Sequence, residues 1–423
     1  MSKFGTSQPV TRLEDTRFLT GRGRYIDDIA PNDALVAYFL RSPVAHAEIT
    51  ALDVTDAKAA PGVVAVYTAA DLADRGLKNA MRFTTVKNRD GSSGAAPVRP
   101  ILAEGRVRFV GEPMVCIIAE TLTAAKDAAE LVEFDFDDLD AKLTLAPGGA
   151  VLHDEAPDNI AYDWALGDEA AVEAALAGSA HRVRLRIEDN RIIASSMEPR
   201  GAFAEPDGER LHLAFSGQGV WGMKGDLAQW FSLAPSAIRI TNPDVGGGFG
   251  MKAMGYPEYY LLALGARDLQ RPIRWMSERT EAMLSDNAGR DLVSTAELGF
   301  DADFKITAYR VSSISNLGAY NSQFGQAIQS SVSSKVLTGV YDVQCAFVNN
   351  RGVYTNTTQV DAYRGAGRPE AIYTLERTMD YAARVLGIAP AELRRRNFVT
   401  EAQMPYRTAS GELYDTGAFS RLL

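Results

Sequence analysis

Short apolar runs alternate with amphipathic stretches through the first 140 or so residues. The pattern predicts strands over 35–40, 63–67, 107–110 and 114–119 and a helix over 122–131. A further strand is clear from period-2 alternation, with Val132, Phe134 and Phe136 on one face and Glu133, Asp135 and Asp137 on the other. Residues 143–159 then carry Pro147, Gly148, Gly149 and Pro157 with little periodicity, which suits a linker. Beyond it, Gly167-Asp-Glu-Ala opens an alanine-rich helix, and Val183, Leu185 and Ile187 alternate with Arg182, Arg184 and Arg186 as a half-exposed strand. A hairpin turn is expected at Pro206-Asp-Gly208, strands over 211–215, 238–240, 273–276, 294–300 and 306–314, and helices near 220–231, 257–266 and 278–284. The expected fold is α+β, divided as 1–142, a linker at 143–160, and 161–423. No internal repeat interrupts it.

Composition narrows the function classes. With 423 residues and 46% hydrophobic content, the chain is long enough for two or three domains, each burying its own core. A net charge of −10 without a basic run argues against a nucleic-acid partner. No stretch has the apolar length needed to cross a bilayer and residues 1–12 lack an apolar leader core, so the expected compartment is the cytoplasm. Cys116 and Cys345 lie in apolar runs and are expected to be buried free thiols. The four histidines are scattered, so no metal ligand is expected directly from protein side chains.

Three stretches carry candidate chemistry. In Ile238-Arg-Ile-Thr-Asn-Pro-Asp-Val-Gly-Gly-Gly-Phe-Gly-Met-Lys252 a short strand runs into four glycines and then into an expected helix. Glycines at 246–250 allow positive φ and exposed N–H groups, and a helix start adds partial positive charge, so the loop is suited to an anion. A strained turn without a ligand fits the same pattern, and a partial match to the dinucleotide fingerprint leaves nicotinamide binding as an alternative. The second stretch is Asp361-Ala-Tyr-Arg-Gly-Ala-Gly-Arg-Pro-Glu370, which leads into a helix with Ile372, Leu375, Met379, Ala382 and Leu386 on one face. Arg364 there offers a forked donor to phosphate or oxo groups, against the ordinary reading of a solvated loop arginine. The third is Ser216-Gly-Gln-Gly219, in which Gln218 is either a loop cap or a hydrogen-bonding group for an oxo ligand.

In this order and spacing, the three stretches resemble the molybdopterin-binding large subunit of the xanthine dehydrogenase, aldehyde oxidase and carbon monoxide dehydrogenase family. Gly21-Arg-Gly-Arg-Tyr-Ile-Asp-Asp28, Arg41-Ser-Pro-Val-Ala-His-Ala47 and Val110-Gly-Glu-Pro113 are similar to its first α/β, hammerhead-like domain. Met197-Glu-Pro-Arg-Gly201 and Leu393-Arg-Arg-Arg-Asn-Phe398 are similar to its first cofactor-binding domain, a mixed α+β unit. The resemblance implies molybdopterin, as the cytosine dinucleotide, carrying Mo. It implies cofactor contacts from Gln218, Gly247, Gly248, Phe249, Gly250, Arg364 and Gly365, with Ala253 and Ala366 facing substrate. It also implies hydroxylation with water as the oxygen source and a glutamate as general base.

That glutamate belongs to a Gly-x-Gly-Glu segment of a second cofactor-binding domain, and no such segment occurs in residues 1–423. The resemblance therefore implies no catalytic base in this chain, a partner subunit that brings the second domain, and [2Fe-2S] and FAD subunits for electron transfer. A non-catalytic assembly module is the alternative from another class. Gly365 stands where the family's carbon monoxide oxidisers carry cysteine, and Ala253 and Ala366 stand where its purine oxidisers carry glutamate and an aromatic ring. The implied substrate is an aldehyde, narrowly preferred, or a simple aromatic N-heterocycle.

Overall fold

The structure is a computed structural model that describes residues 11–423; the leader reading at 1–12 lies largely outside the described residues. A seven-stranded mixed sheet forms the body. Its order is Ile238–Thr241, Arg210–Phe215, Gly201–Asp207, Ile273–Met276, Leu35–Arg41, Pro113–Ala119 and Val63–Tyr67. The pairs Leu35–Arg41 with Ile273–Met276 and Arg210–Phe215 with Ile238–Thr241 are parallel, and the other four neighbours are antiparallel. Residues 143–159 contain no helix or strand, yet the sheet takes strands from both sides of them. Beside cores confined to either side, one core is shared by both: Leu35, Phe39, Cys116 and Ile118 cluster with Leu213, Leu227, Leu261 and Trp275.

Helix Pro257–Leu269 lies on this sheet and is buried from Pro257 to Ala266. Its fit is close, because a Cβ added at Gly265 would lie 2.5 Å from the Cδ1 atoms of both Ile118 and Ile273. A side chain there would displace the ends of both isoleucines, so glycine keeps the helix close to the sheet as packed.

A second, five-stranded sheet runs Ile160–Gly167, Ala346–Tyr354, Ile306–Gly318, Leu292–Phe300 and His181–Asp189. The strand at 181–189 turns Val183 and Ile187 inward and its arginines outward, where Glu297 of the neighbouring strand accepts from Arg182 and Arg310 at 2.7 Å each. Helix Arg368–Leu386 covers this sheet, burying Leu375, Met379, Ala382 and Ala383 against Val183, Leu298 and Tyr309. Ile372, expected on that face, is 37% exposed. A three-stranded sheet of Arg106–Val107, Ala47–Asp53 and Glu133–Asp138 completes the N-terminal part.

Strands Ile160–Gly167, Gly201–Asp207 and Ala346–Tyr354 carry no clean period-2 signal and escape sequence reading. The first two are only partly apolar, and the third holds Asn349, Asn350 and Arg351. Cys345, expected to be buried, is half-buried just before the last of these strands, unlike the fully buried Cys116. Burial pushes the Cys116 thiol up, so it is a poor nucleophile and behaves as a small core hydrophobe.

Candidate functional site

The three loops singled out in sequence meet at one end of the large sheet. Strand Arg210–Phe215 delivers Ser216–Gly219, and strand Ile238–Thr241 delivers the glycine loop beside it. Gln218 Oε1 accepts from the Gly250 N–H at 2.8 Å, and the Gln218 N–H donates to the Lys252 carbonyl at 3.1 Å. The third loop closes on the same point, with the Arg364 N–H donating to the Phe249 carbonyl at 2.8 Å. Side chains at two glycines would break this junction. A Cβ at Gly248 would sit 2.5 Å from Gln218 Oε1, and one at Gly250 would sit 2.8 Å from the Ala362 carbonyl.

Within the loop, Gly247, Phe249 and Gly250 have φ of 100°, 55° and 92°. Left-handed residues interspersed through a glycine run are the backbone pattern from which anion-binding nests are built. Among the described residues, no group accepts from the N–H of Gly247, Gly248 or Phe249, whereas Gly246 and Gly250 are both paired. One expectation is corrected here. The loop does not open a helix: a single turn, Met251–Ala253, follows Gly250, and the next helix starts at Pro257. A helix dipole contributes nothing at the glycines, and the donors are the bare amides alone.

Residues that lie in the motif stretches of the sequence, but carry no role in its reading, hold the loop from beneath. Glu198 Oε2 accepts from the Gly246 N–H at 2.8 Å and from Lys252 Nζ at 3.1 Å, with Lys252 fully buried. Burial lowers the Lys252 pKa and Glu198 opposes that shift. Two residues on, Arg200 is also fully buried; it donates to Asp286 at 2.5 Å and Glu258 at 2.8 Å and lies over the Tyr256 ring at 3.7 Å. Arg41 reaches Glu258 from the other part of the chain at 2.5 Å. Burial alone would raise the Glu258 carboxyl, but Arg200 and Arg41 outweigh it and hold it at about 2. Asp244, on the approach to the glycines, accepts from Arg17 at 2.6 Å and from the Arg24 N–H at 2.7 Å.

The loop 362–367 is fastened through its carbonyls. Arg290 donates to the carbonyls of Tyr363 at 3.3 Å and Arg364 at 2.8 Å, and pairs with Glu370 at 2.9 Å. Gly365, Ala366 and Gly367 all have positive φ, turning the chain sharply into helix Arg368–Leu386, with Pro369 in its first turn. The Arg364 side chain is exposed and makes no hydrogen bond or ion pair among the described residues, so its guanidinium is uncommitted, on a turn whose backbone is tied to Phe249. Ala253 lines a cavity of about 200 Å³ together with Gln218, Trp221, Met254 and Gln323. Ala366 does not line it. Among the described residues, no group of three or more His, Cys, Asp or Glu side chains is placed to hold a metal ion, and no helix is long and apolar enough to cross a membrane.

Free amides, a free guanidinium and an adjoining cavity are together suited to an anionic ligand held mainly by backbone donors. Residues 152–398 match the molybdopterin cofactor-binding domain family, and residues 20–140 match the aldehyde oxidase and xanthine dehydrogenase a/b hammerhead domain. The chain belongs to this family of molybdopterin-binding large subunits. It is 34% identical to the nicotine 6-hydroxylase large subunit of Paenarthrobacter nicotinovorans, over 98% of this chain and 50% of that one. The crystal structure of quinoline 2-oxidoreductase from Pseudomonas putida 86 superposes with a TM-score of 0.88 at 34% identity, over 97% of this chain and 52% of the other. The carbon monoxide dehydrogenase large chain of Hydrogenophaga pseudoflava is 30% identical over 97% of this chain and 52% of that one. The chain thus spans about half the length of these relatives.

Proposed function

We propose that this chain supplies the half of a molybdenum hydroxylase site that holds the cofactor, within a multi-subunit enzyme that oxidises a small aromatic N-heterocycle, or an aldehyde, with water as the oxygen source. The observation that carries the reading is the convergence of Gln218, the three free amides of Gly247, Gly248 and Phe249, and the Arg364–Gly365 turn at one point. These residues fit the group: the donors suit the anionic oxygens and oxo ligands of a pterin-held metal, and the glycines leave the space that side chains would fill. When bound, the cofactor supplies the two-electron redox chemistry that no side chain here provides.

In that arrangement the glycine loop binds through N–H donors, and Gln218 keeps the loop closed with its Oε1 while its amide nitrogen stays free to donate. Arg364 adds charge, and Ala253 leaves room in the adjoining cavity. The names of the relatives, a nicotine hydroxylase and a quinoline oxidoreductase, favour the heterocycle over the aldehyde. The cytosine dinucleotide form, a partner bearing the general-base glutamate, and [2Fe-2S] and FAD subunits belong to the same proposal.

Arg364→Ala is the direct test. Because the side chain is exposed and makes no hydrogen bond or ion pair with another described residue, the variant is expected to melt like the parent when free of cofactor. It is expected to lose most of its molybdenum on purification, since a charge-assisted donor contributes about 1.5–3 kcal/mol. Unchanged molybdenum content, measured with pterin fluorescence and subunit mass spectrometry on the purified complex, would contradict the assignment of this loop.

A further inference from the structure

Asp226 is a nearly buried carboxylate that the site above does not use. It lies on the buried face of helix Trp221–Trp230, 9% exposed. It is the residue common to two cavities. The inner one, of about 200 Å³, is the space beside Gln218 and Ala253; the outer one, of about 440 Å³, is walled by Met81, Arg82, Phe83, Trp230 and Tyr260. Asp226 thus stands where the cavity beside the candidate site adjoins the larger one, at the throat between them.

Its hydrogen bonding is incomplete. Oδ1 accepts from Arg82 at 3.2 Å, and no described residue donates to Oδ2, which lies toward Gly255 and would be 3.8 Å from a Cβ placed there. A carboxylate has about four acceptor positions, so most of its capacity faces the passage. A charge at this depth is costly unless paired. Burial accordingly raises its pKa and Arg82 opposes the rise.

Arg82, the cation paired with it, is largely solvent-exposed, and two lysines lie in the surroundings. The Arg82 side chain is 55% exposed, Lys78 lines the outer cavity, and Lys224, on the same helix, lies over the Trp221 ring at 5.6 Å. The walls are aromatic on both sides of the throat, with Phe83, Trp230 and Tyr260 outside and Phe215 and Trp221 inside. A carboxylate among aromatic faces is the composition that recognises an organic cation.

We propose that Asp226 is a specificity-determining residue of the entry passage, selecting aromatic heterocycles that carry a protonated amine, which takes the place of Arg82 on the carboxylate. The inference rests on the proposed function for its meaning but can be read without turnover.

The test uses the purified holoenzyme complex with two probes: nicotine, whose pyrrolidine nitrogen is protonated at neutral pH, and quinoline, which is neutral. Asp226→Asn should raise KM for nicotine about tenfold, the loss of one charge-assisted hydrogen bond, and leave KM for quinoline within about twofold. Arg82→Ala, which frees the carboxylate, should lower KM for nicotine. A merely structural role would move both variants the same way and both probes alike, and that result, or no change with either probe, overturns the proposal. Should the complex turn over neither compound, the hydroxylase reading is judged separately, by the molybdenum and pterin content of the complex. Quenching of tryptophan fluorescence by nicotine then decides: weaker binding in Asp226→Asn and tighter binding in Arg82→Ala support the throat, and unchanged binding sinks it.

Discussion

The ion pair beneath the glycine loop is open to a quantitative test. Lys252 is fully buried, and among the described residues its ammonium donates to one group, Glu198 Oε2, at 3.1 Å. Glu198→Gln keeps an amide oxygen for the Gly246 N–H but removes the charge, leaving a buried ammonium without its counter-ion. Such a break costs about 3–5 kcal/mol, whereas replacing both partners by neutral groups of similar size is close to neutral. The double variant Glu198→Gln/Lys252→Met should therefore recover most of what Glu198→Gln loses. With an unfolding entropy of about 2.1 cal/mol/K per residue, the 423 residues give about 0.9 kcal/mol/K. The single variant should then melt about 3–6 °C below the parent, and the double within about 1–2 °C. Calorimetry at neutral pH on the four proteins of the cycle reads this directly. If the losses simply add, the pair is not coupled, and Glu198 acts on the loop only through the Gly246 amide.

The remaining expectations follow from the same contacts. Gly248→Ala, at a position without positive φ, displaces the end of Gln218 and breaks its bond to Gly250, costing about 1 kcal/mol; a melting point equal to the parent together with full molybdenum content would refute the packing argument. The Glu258 carboxyl is held at about 2, below its ordinary value of 4.5, so its stabilisation is present above pH 4.5 and is lost as pH falls toward 2. In Glu258→Gln the acid limb of the stability curve should flatten, and an unchanged limb would mean the network does not govern acid unfolding. Burial raises Asp361, at the foot of the Arg364 loop, from 3.8 to about 6, so its contribution has the opposite sign, present below pH 3.8 and lost as pH rises through 6. The stability of Asp361→Asn relative to the parent should therefore increase between pH 5 and 7, and a flat difference would contradict that sign.

Much of the fold was legible in the chain because burial on one face writes a period into the sequence. Strands Arg210–Phe215 and Ile273–Met276 and helices Trp221–Trp230 and Pro257–Leu269 fall within a few residues of the positions expected from periodicity. Where that condition fails, the reading fails with it. Strand Ala346–Tyr354 lies between two other strands of its sheet, buries Asn350 and exposes Arg351, and its polar residues are satisfied by neighbours remote in sequence, such as Tyr162 and Ser315. No local pattern announces it.

The site divides along the same line. The glycines at 246–250, Gln218 and the Arg364 turn are visible in sequence because backbone conformation constrains residue type: positive φ and close approach demand glycine, and an uncommitted polar side chain in a loop stands out. What holds them together is not visible. Glu198 and Lys252 are 54 positions apart and Arg41 and Glu258 are 217 apart; the first pair is made by folding within the second part of the chain, and the second only when the shared sheet joins the two parts. The sequence alone determined which backbones could bend into an anion cradle and the order in which they come. Tertiary structure decided that they meet, that the cradle rests on bare amides rather than on a helix dipole, and that buried ion pairs hold it, because charges are tolerated in a core only when packing delivers a partner to each.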